Sequence, residues 1–283
     1  MQTPVIKRIT DWTSFDGTRM HGVHWTSAVK STYVICLIHG LGEHSGRYSA
    51  LAHYYVSRGI DVHSFDLRGH GLSQGRRGHS DHSDDLIKDV DHFLRYESGI
   101  NTQQPYGVYG HSLGGMIALS YALSYPEVNR AVVLSSAFLK PAFEPPKWKL
   151  ILAAYLQTLW PTVLLSNEVP VAALSKDPQV LKEYTADPLV HNSLSVGLGL
   201  QLLKQGRYLL DTMQTVDFPL LVMHGDADRI TCHHASELLA AKAGKRCELV
   251  IWPGLFHELQ HEMEKEAVFD CSIDWLKEVL RPL

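Results

Sequence analysis

Short apolar runs alternating with segments of helical spacing constrain this chain more than any other feature. Tyr33 to Ile38, Tyr106 to Tyr109, Ala131 to Leu134, Leu220 to Met223 and Leu249 to Trp252 are brief and almost continuously apolar. Such runs are strands buried on both faces. Tyr48 to Ser57, Asp84 to Tyr96, Leu113 to Ser124, His234 to Ala243 and Glu262 to Leu280 carry apolar residues at helical intervals. The alternation predicts an α/β fold, a mostly parallel central sheet with helices on both faces. Ahead of it, Asp16-Gly17 between alternating apolar segments predicts an opening hairpin.

One interval breaks the rhythm. About 80 residues separate the strand near Ala131 from that at Leu220, far more than one crossover helix needs. The chain is therefore expected to divide into a first core part at 1–137, an inserted, mainly helical cap at 138–207 and a second core part at 208–283. Within the cap, Lys147 to Trp160 is apolar around most of a helix, which demands partners on several sides. Burial between cap and core is the expectation; a lipid-facing lid and a cap-mediated dimer are the functional alternatives.

Composition narrows the partners. The 283 residues are 45% hydrophobic and carry a formal charge of -4, enough apolar material for one large core. No basic cluster exists to bind phosphates, so nucleic acid is not an expected partner. No apolar run approaches the ~18 residues of a membrane span, which leaves peripheral contact through the cap. Met1 to Asp16 lacks a secretory pattern, and Cys36, Cys232, Cys247 and Cys271 form no CxxC pair, so a cytosolic chain with reduced thiols is expected. His79 with His82, and His233 with His234, lack ligand sets of known spacing; no metal or cofactor is expected.

The chemistry begins at Gly110-His111-Ser112-Leu113-Gly114, directly after a strand pattern and directly before an apolar helix. A bare GxSxG is a weak signal, but this context is that of a nucleophile elbow, whose tight turn needs small flanking residues. Ser112 is then a nucleophile, and its hydroxyl needs a base and an orienting acid. The run Phe218 to Gly225 ends in a loop holding Asp226 and Asp228, and Cys247 to Trp252 ends in a loop holding His257. These supply the order Ser, Asp, His, with either aspartate as the acid. A tetrahedral oxyanion requires backbone donors: the N–H of Leu113 and one from His39-Gly40-Leu41-Gly42, naturally Leu41. Losing one such donor costs about 3 to 4 kcal/mol of transition-state stabilisation.

His39 to Tyr48, Asp66-Leu67-Arg68-Gly69-His70-Gly71-Leu72-Ser73, the elbow, the Asp228 loop and the cap segments Leu174 to Pro178 and Tyr184 to Leu189 together resemble the monoacylglycerol lipases. The resemblance covers nearly the whole chain. It implies an α/β-hydrolase fold, the triad Ser112, Asp228 and His257, and hydrolysis of a monoacylglycerol to glycerol and a fatty acid without a cofactor. It also implies that Glu43, Arg47, His111 and Tyr184 line a polar end where glycerol sits. Arg68 and His70 are expected to serve the turn that contains them rather than catalysis. Lysophospholipases and broad carboxylesterases share the elbow and much of the Asp66 to Ser73 turn, and are the alternative.

Two other classes compete. His257-Glu258-Leu259-Gln260-His261 satisfies HExxH, the helical zinc pair of metalloproteases with its general-base glutamate. Against it, the only later carboxylates belong to one helical pattern, awkward for a third ligand. A hydrolase fold can also serve as a non-catalytic ligand-binding protein, which the intact triad and oxyanion loop oppose.

Overall fold

In the computed structural model, residues 4–29, 31–101, 105–126 and 130–281 are described. Met1 to Thr3, the start of the segment without a leader pattern, lie outside them. The Asp16-Gly17 turn joins β1 (Val5–Thr13) to β2 (Arg19–Ser27), which pair antiparallel as expected. The remaining strands are β3 (Tyr33–Ile38), β4 (Ile60–Phe65), β5 (Tyr106–His111), β6 (Arg130–Ser135), β7 (Leu164–Ser166), β8 (Ser193–Ser195), β9 (Leu220–Gly225) and β10 (Cys247–Trp252). Eight of them form one sheet in the order β1-β2-β4-β3-β5-β6-β9-β10. From β4 to β10 the neighbours run parallel, and β2 joins β4 antiparallel.

The helices are α1 (Ser49–Ser57), α2 (Ser83–His92), α3 (Leu113–Ser124), α4 (Lys147–Leu159), α5 (Pro178–Ala186), α6 (Val196–Thr212), α7 (His233–Ala243) and α8 (Lys265–Val279). Strand alternation divides the core in two. On β5, Tyr106 and Val108 pack with α2, α3, α6 and α7, while Tyr109 packs with α1 and α8 on the other face. This is the layered α/β fold expected from the alternation.

Several elements differ from expectation. Strand β4 was not anticipated, because Asp61, His63 and Ser64 interrupt its apolar residues. Those polar groups are accommodated: His63 stacks on His24 at 4.0 Å and donates to the Ser98 carbonyl, and Ser64 donates to the Leu37 carbonyl. The helix expected over Asp84 to Tyr96 is α-helical only to His92 and continues as a π turn, Phe93–Glu97. Helix α8 starts at Lys265 rather than Glu262, whose carboxylate instead accepts from the backbone N–H groups of Phe256 and Lys176.

The long interval between β6 and β9 holds α4, β7, α5, β8 and α6, with β7 and β8 forming a small antiparallel pair. Helix α6 runs unbroken past residue 207, and its Leu198, Leu202, Leu209 and Leu210 sit in the main core cluster. Helix α4 corrects an expectation: none of its residues is buried, and Trp148, Ile151 and Tyr155 are 63%, 71% and 65% exposed. Its apolar girth has another origin. Leu152, Ala153 and Leu156 line a cavity, and Ile151, Tyr155 and Leu159 point away from it. Among the described residues, no helix is long and apolar enough to cross a membrane.

Candidate active site

Four loops leave the carboxyl ends of β3, β5, β9 and β10 and converge, as parallel sheets of this kind dictate. At the end of β5, Ser112 adopts φ 52° and ψ -115°, a conformation that L residues rarely take and that costs of order 1 to 3 kcal/mol. Its backbone is pinned across the turn: the N–H donates to the Ser135 carbonyl at 2.9 Å, and its carbonyl accepts from Phe138 at 2.9 Å. The flanking glycines are obligatory. A Cβ on Gly110 would lie 2.2 Å from the Gly114 carbonyl oxygen, and one on Gly114 2.1 Å from that of Ile38. The small-residue requirement inferred from sequence is thus a steric one.

Ser112 Oγ lies 3.0 Å from Nε2 of His257, whose Nδ1 donates to Oδ2 of Asp228 at 2.7 Å. All three residues are buried. Burial opposes charge on His257, yet the neighbouring Asp228 carboxylate, with Glu258 and Glu43, raises its pKa above the ordinary imidazole value. Burial likewise opposes charge on Asp228, but His257 and His224 hold it far below the usual carboxylate range. The Asp228 carboxylate also accepts from the N–H groups of Ile230 and Thr231 and from the Thr231 hydroxyl. Asp226, the local rival, turns away to accept from the N–H of Gly254 at 2.6 Å.

The loop after β3 is held from below. His39 donates through Nδ1 to the Gly40 carbonyl and accepts at Nε2 from the Leu67 N–H, which fixes its neutral tautomer. Gly40 donates to Glu43 at 2.6 Å, and a Cβ there would meet Glu43 Oε1 at 2.9 Å and Ser112 at 3.3 Å. Leu41 and Leu113 both border the cavity beside Ser112. Among the described residues, neither of their N–H groups donates within the chain.

Glu43 accepts from Tyr48 and Arg47, each at 2.6 Å, and Arg47 holds Glu258 through bonds of 2.6 and 2.7 Å. Burial opposes both carboxylate charges, and Arg47 overrides it, lowering both pKa values. Tyr184, on α5, lays its ring over the Arg47 guanidinium at 4.8 Å. Glu43, His111 and Tyr184 line the cavity; Arg47 differs from the expectation for these four and stands behind its wall, engaged by both carboxylates. His111, with a ring centroid 4.8 Å from that of His257, is pushed down to about 3 by burial and by His257, and its Nδ1 has no partner among the described residues.

The cavity measures about 510 Å³ and runs from these polar groups to an apolar far wall built by α4 and α6, including Leu152, Leu156, Leu200 and Leu203. Two contributors escaped sequence reasoning. His224, within β9, donates to Asp228 at 3.0 Å and is itself held by Ser236 at 2.8 Å. Glu258 entered only as part of HExxH, with no signal linking it to Arg47.

The zinc arrangement is absent. His257 lies on a loop engaged with Ser112 and Asp228, Glu258 is paired with Arg47, and His261 ends a 3-10 turn. Among the described residues, the group with metal-ligand proximity is His233, His234 and Glu237, exposed or half-buried at the start of α7 and not part of the cavity lining. Arg68 pairs with Asp89 and Asp16, and His70 is buried beside it, both serving the turn.

Comparison with known proteins agrees with this geometry. The family model described as serine aminopeptidase, S33 (Hydrolase_4) matches residues 30–264. A monoacylglycerol lipase of Mycolicibacterium smegmatis is 33% identical over 89% of this chain and 90% of its own. An abhydrolase domain-containing protein of Dictyostelium discoideum is 37% identical over 90% of this chain, which spans 27% of that longer protein. The crystal structure of Paleococcus ferrophilus monoacylglycerol lipase superposes with a TM-score of 0.80 at 29% identity, covering 96% of this chain and 98% of that one. The chain therefore belongs to the Hydrolase_4 family of serine hydrolases and has the α/β-hydrolase fold.

Proposed function

We propose that this hydrolase cleaves monoacylglycerol to glycerol and a free fatty acid through an acyl-enzyme on Ser112. The observation that carries this is the Ser112, His257, Asp228 chain at the junction of an apolar channel and a polar pocket. The acyl chain occupies the channel under α4 and α6, and the glycerol hydroxyls face Glu43, His111 and Tyr184. His257 takes the Ser112 proton as Oγ attacks the ester carbonyl; Asp228 stabilises the resulting imidazolium. The N–H groups of Leu41 and Leu113 hold the oxyanion. As the intermediate collapses, His257 protonates the departing glycerol oxygen. Water then attacks the acyl carbonyl with His257 again as base, and the fatty acid leaves as Ser112 regains its proton.

The segment 138–207 acts as the lid of this channel. Its outer face at Ile151, Tyr155 and Leu159, with Trp148 at its edge, suits contact with a lipid surface from which a monoacylglycerol is drawn. Free cysteines at 36, 232, 247 and 271 suit a reducing compartment such as the cytosol. A panel of monoacylglycerol, diacylglycerol, lysophosphatidylcholine and short p-nitrophenyl esters compared by kcat/KM tests the substrate. Monoacylglycerol is expected to be the best of them; preference for lysophospholipid or for short esters alone contradicts the assignment.

A further inference from the structure

The charged side chains on the cavity wall are unbalanced. Glu43, Glu258 and Glu168 supply carboxylates, and Lys149 is the only Lys or Arg among the described lining residues. Lys149 is already paired, its ammonium 2.8 Å from both oxygens of Glu168. Arg47 lies behind the wall with its guanidinium divided between Glu43 and Glu258. A single guanidinium facing two carboxylates leaves one uncompensated negative charge. Both carboxylates accept from Arg47, and Glu43 also from Tyr48 and the Gly40 N–H, contacts that favour the ionised forms and lower both pKa values. His111 does not offset them, because burial keeps it neutral.

This charge stands beside the reacting atoms. Glu43 Oε1 and Ser112 Cβ lie 2.9 and 3.3 Å from the point where a Gly40 side chain would begin. Glu258 immediately follows His257 in the chain, and both line the cavity. In a buried site, an anion placed a few ångströms from a fixed negative charge is opposed by several times the energy it would meet in water.

We infer that Glu43 and Glu258 are specificity-determining residues that admit esters with uncharged alcohol groups and reject those bearing phosphate next to the scissile bond. The inference rests on the monoacylglycerol reading and adds the physical basis on which a lysophospholipid of the same acyl chain is refused. A glycerol hydroxyl can donate to these carboxylates, whereas an ionised phosphate brings negative charge against them and meets, among the described lining residues, only Lys149, already paired with Glu168. The same field acts on the product: the ester enters neutral and the fatty acid forms as an anion next to Ser112, so its departure is favoured.

The test uses esters of one acyl chain, oleate, and the purified full chain: 1-oleoylglycerol, ethyl oleate and 1-oleoyl lysophosphatidate, presented in the same detergent. The expected result is a kcat/KM for lysophosphatidate on the order of 100-fold below that for ethyl oleate. Glu258→Gln is expected to narrow that ratio at least tenfold, whatever it does to either rate alone. Lysophosphatidate turnover within threefold of ethyl oleate overturns the inference, and so does a Glu258→Gln protein with an unchanged ratio. Should that variant fail to fold, inhibition of the wild-type protein by oleate against oleyl alcohol decides: the alcohol is expected to bind at least tenfold tighter, and equal binding overturns the inference. Failure of 1-oleoylglycerol alone, with ethyl oleate cleaved, counts against the monoacylglycerol reading and leaves the ratio to judge the charge.

Discussion

Arg47 grips Glu258 through two hydrogen bonds of 2.6 and 2.7 Å, tying the residue after His257 to the loop after β3. Since Arg47 also binds Glu43, and Glu43 accepts from Gly40, one guanidinium ties the His257 loop to the Gly40 loop. Removing it strands two buried carboxylates. Arg47→Met should cost about 3 to 5 kcal/mol and lower Tm by roughly 10 °C. Differential scanning calorimetry checks this. A loss below about 1 kcal/mol would place the pair with ordinary surface ion pairs.

The two aspartates of the β9 loop separate cleanly by geometry, since Asp228 meets His257 and Asp226 meets the Gly254 N–H. Asp228→Asn should reduce kcat by about 10⁴, because the base loses its tautomer and its counter-charge. Asp226→Asn should leave kcat nearly intact. Steady-state assays with a p-nitrophenyl ester compare the two; a large loss from Asp226→Asn alone reverses the assignment.

His257 works as a base only when neutral, and the carboxylate of Asp228 raises its pKa above the ordinary value. Activity is therefore full above that raised pKa and lost as the pH falls through it. The kcat/KM profile should show an acid limb above the ordinary imidazole value of about 6.5. Glu258→Gln removes a negative charge near the ring and should move the limb to lower pH. A limb that moves upward contradicts the electrostatic account.

The outward face of α4 carries Ile151 and Tyr155, which are exposed and absent from the cavity wall. Ile151→Ser with Tyr155→Ser should weaken sedimentation with phosphatidylcholine vesicles about tenfold. Turnover of a soluble short ester should not change. Unchanged vesicle binding, together with a shift from dimer to monomer on gel filtration, would assign the face to contact between copies.

How much was legible in the sequence follows from how local each determinant is. Ser112 could be read because its turn forces small residues at fixed offsets, and β5, β6 and β9 because burial on both faces leaves continuous apolar runs; the apolar run Leu249 to Trp252, expected to be buried likewise, lies in the edge strand β10 with Leu249 exposed. β4 could not, since His63 stacked on His24 looks like a polar interruption until the neighbour is known. His224 sits in an otherwise apolar strand, and only the fold brings it to Asp228. Glu258 was readable as half of a zinc motif, while its true partner lies 211 residues away at Arg47. On α4, apolar residues all round suggested burial, whereas the helix has one face to a cavity and one to solvent.

The central claim is that Ser112 is the nucleophile of a monoacylglycerol hydrolase. Labelling by a fluorophosphonate probe, read with 1-oleoylglycerol turnover on the same preparations, tests it most directly. The wild-type protein should be labelled, and monoacylglycerol should block the labelling and be cleaved. Ser112→Ala should show neither labelling nor turnover. Turnover that survives Ser112→Ala and is abolished by a chelator would contradict the account, and labelling of the wild type without ester turnover would make the protein a ligand-binding member of its fold.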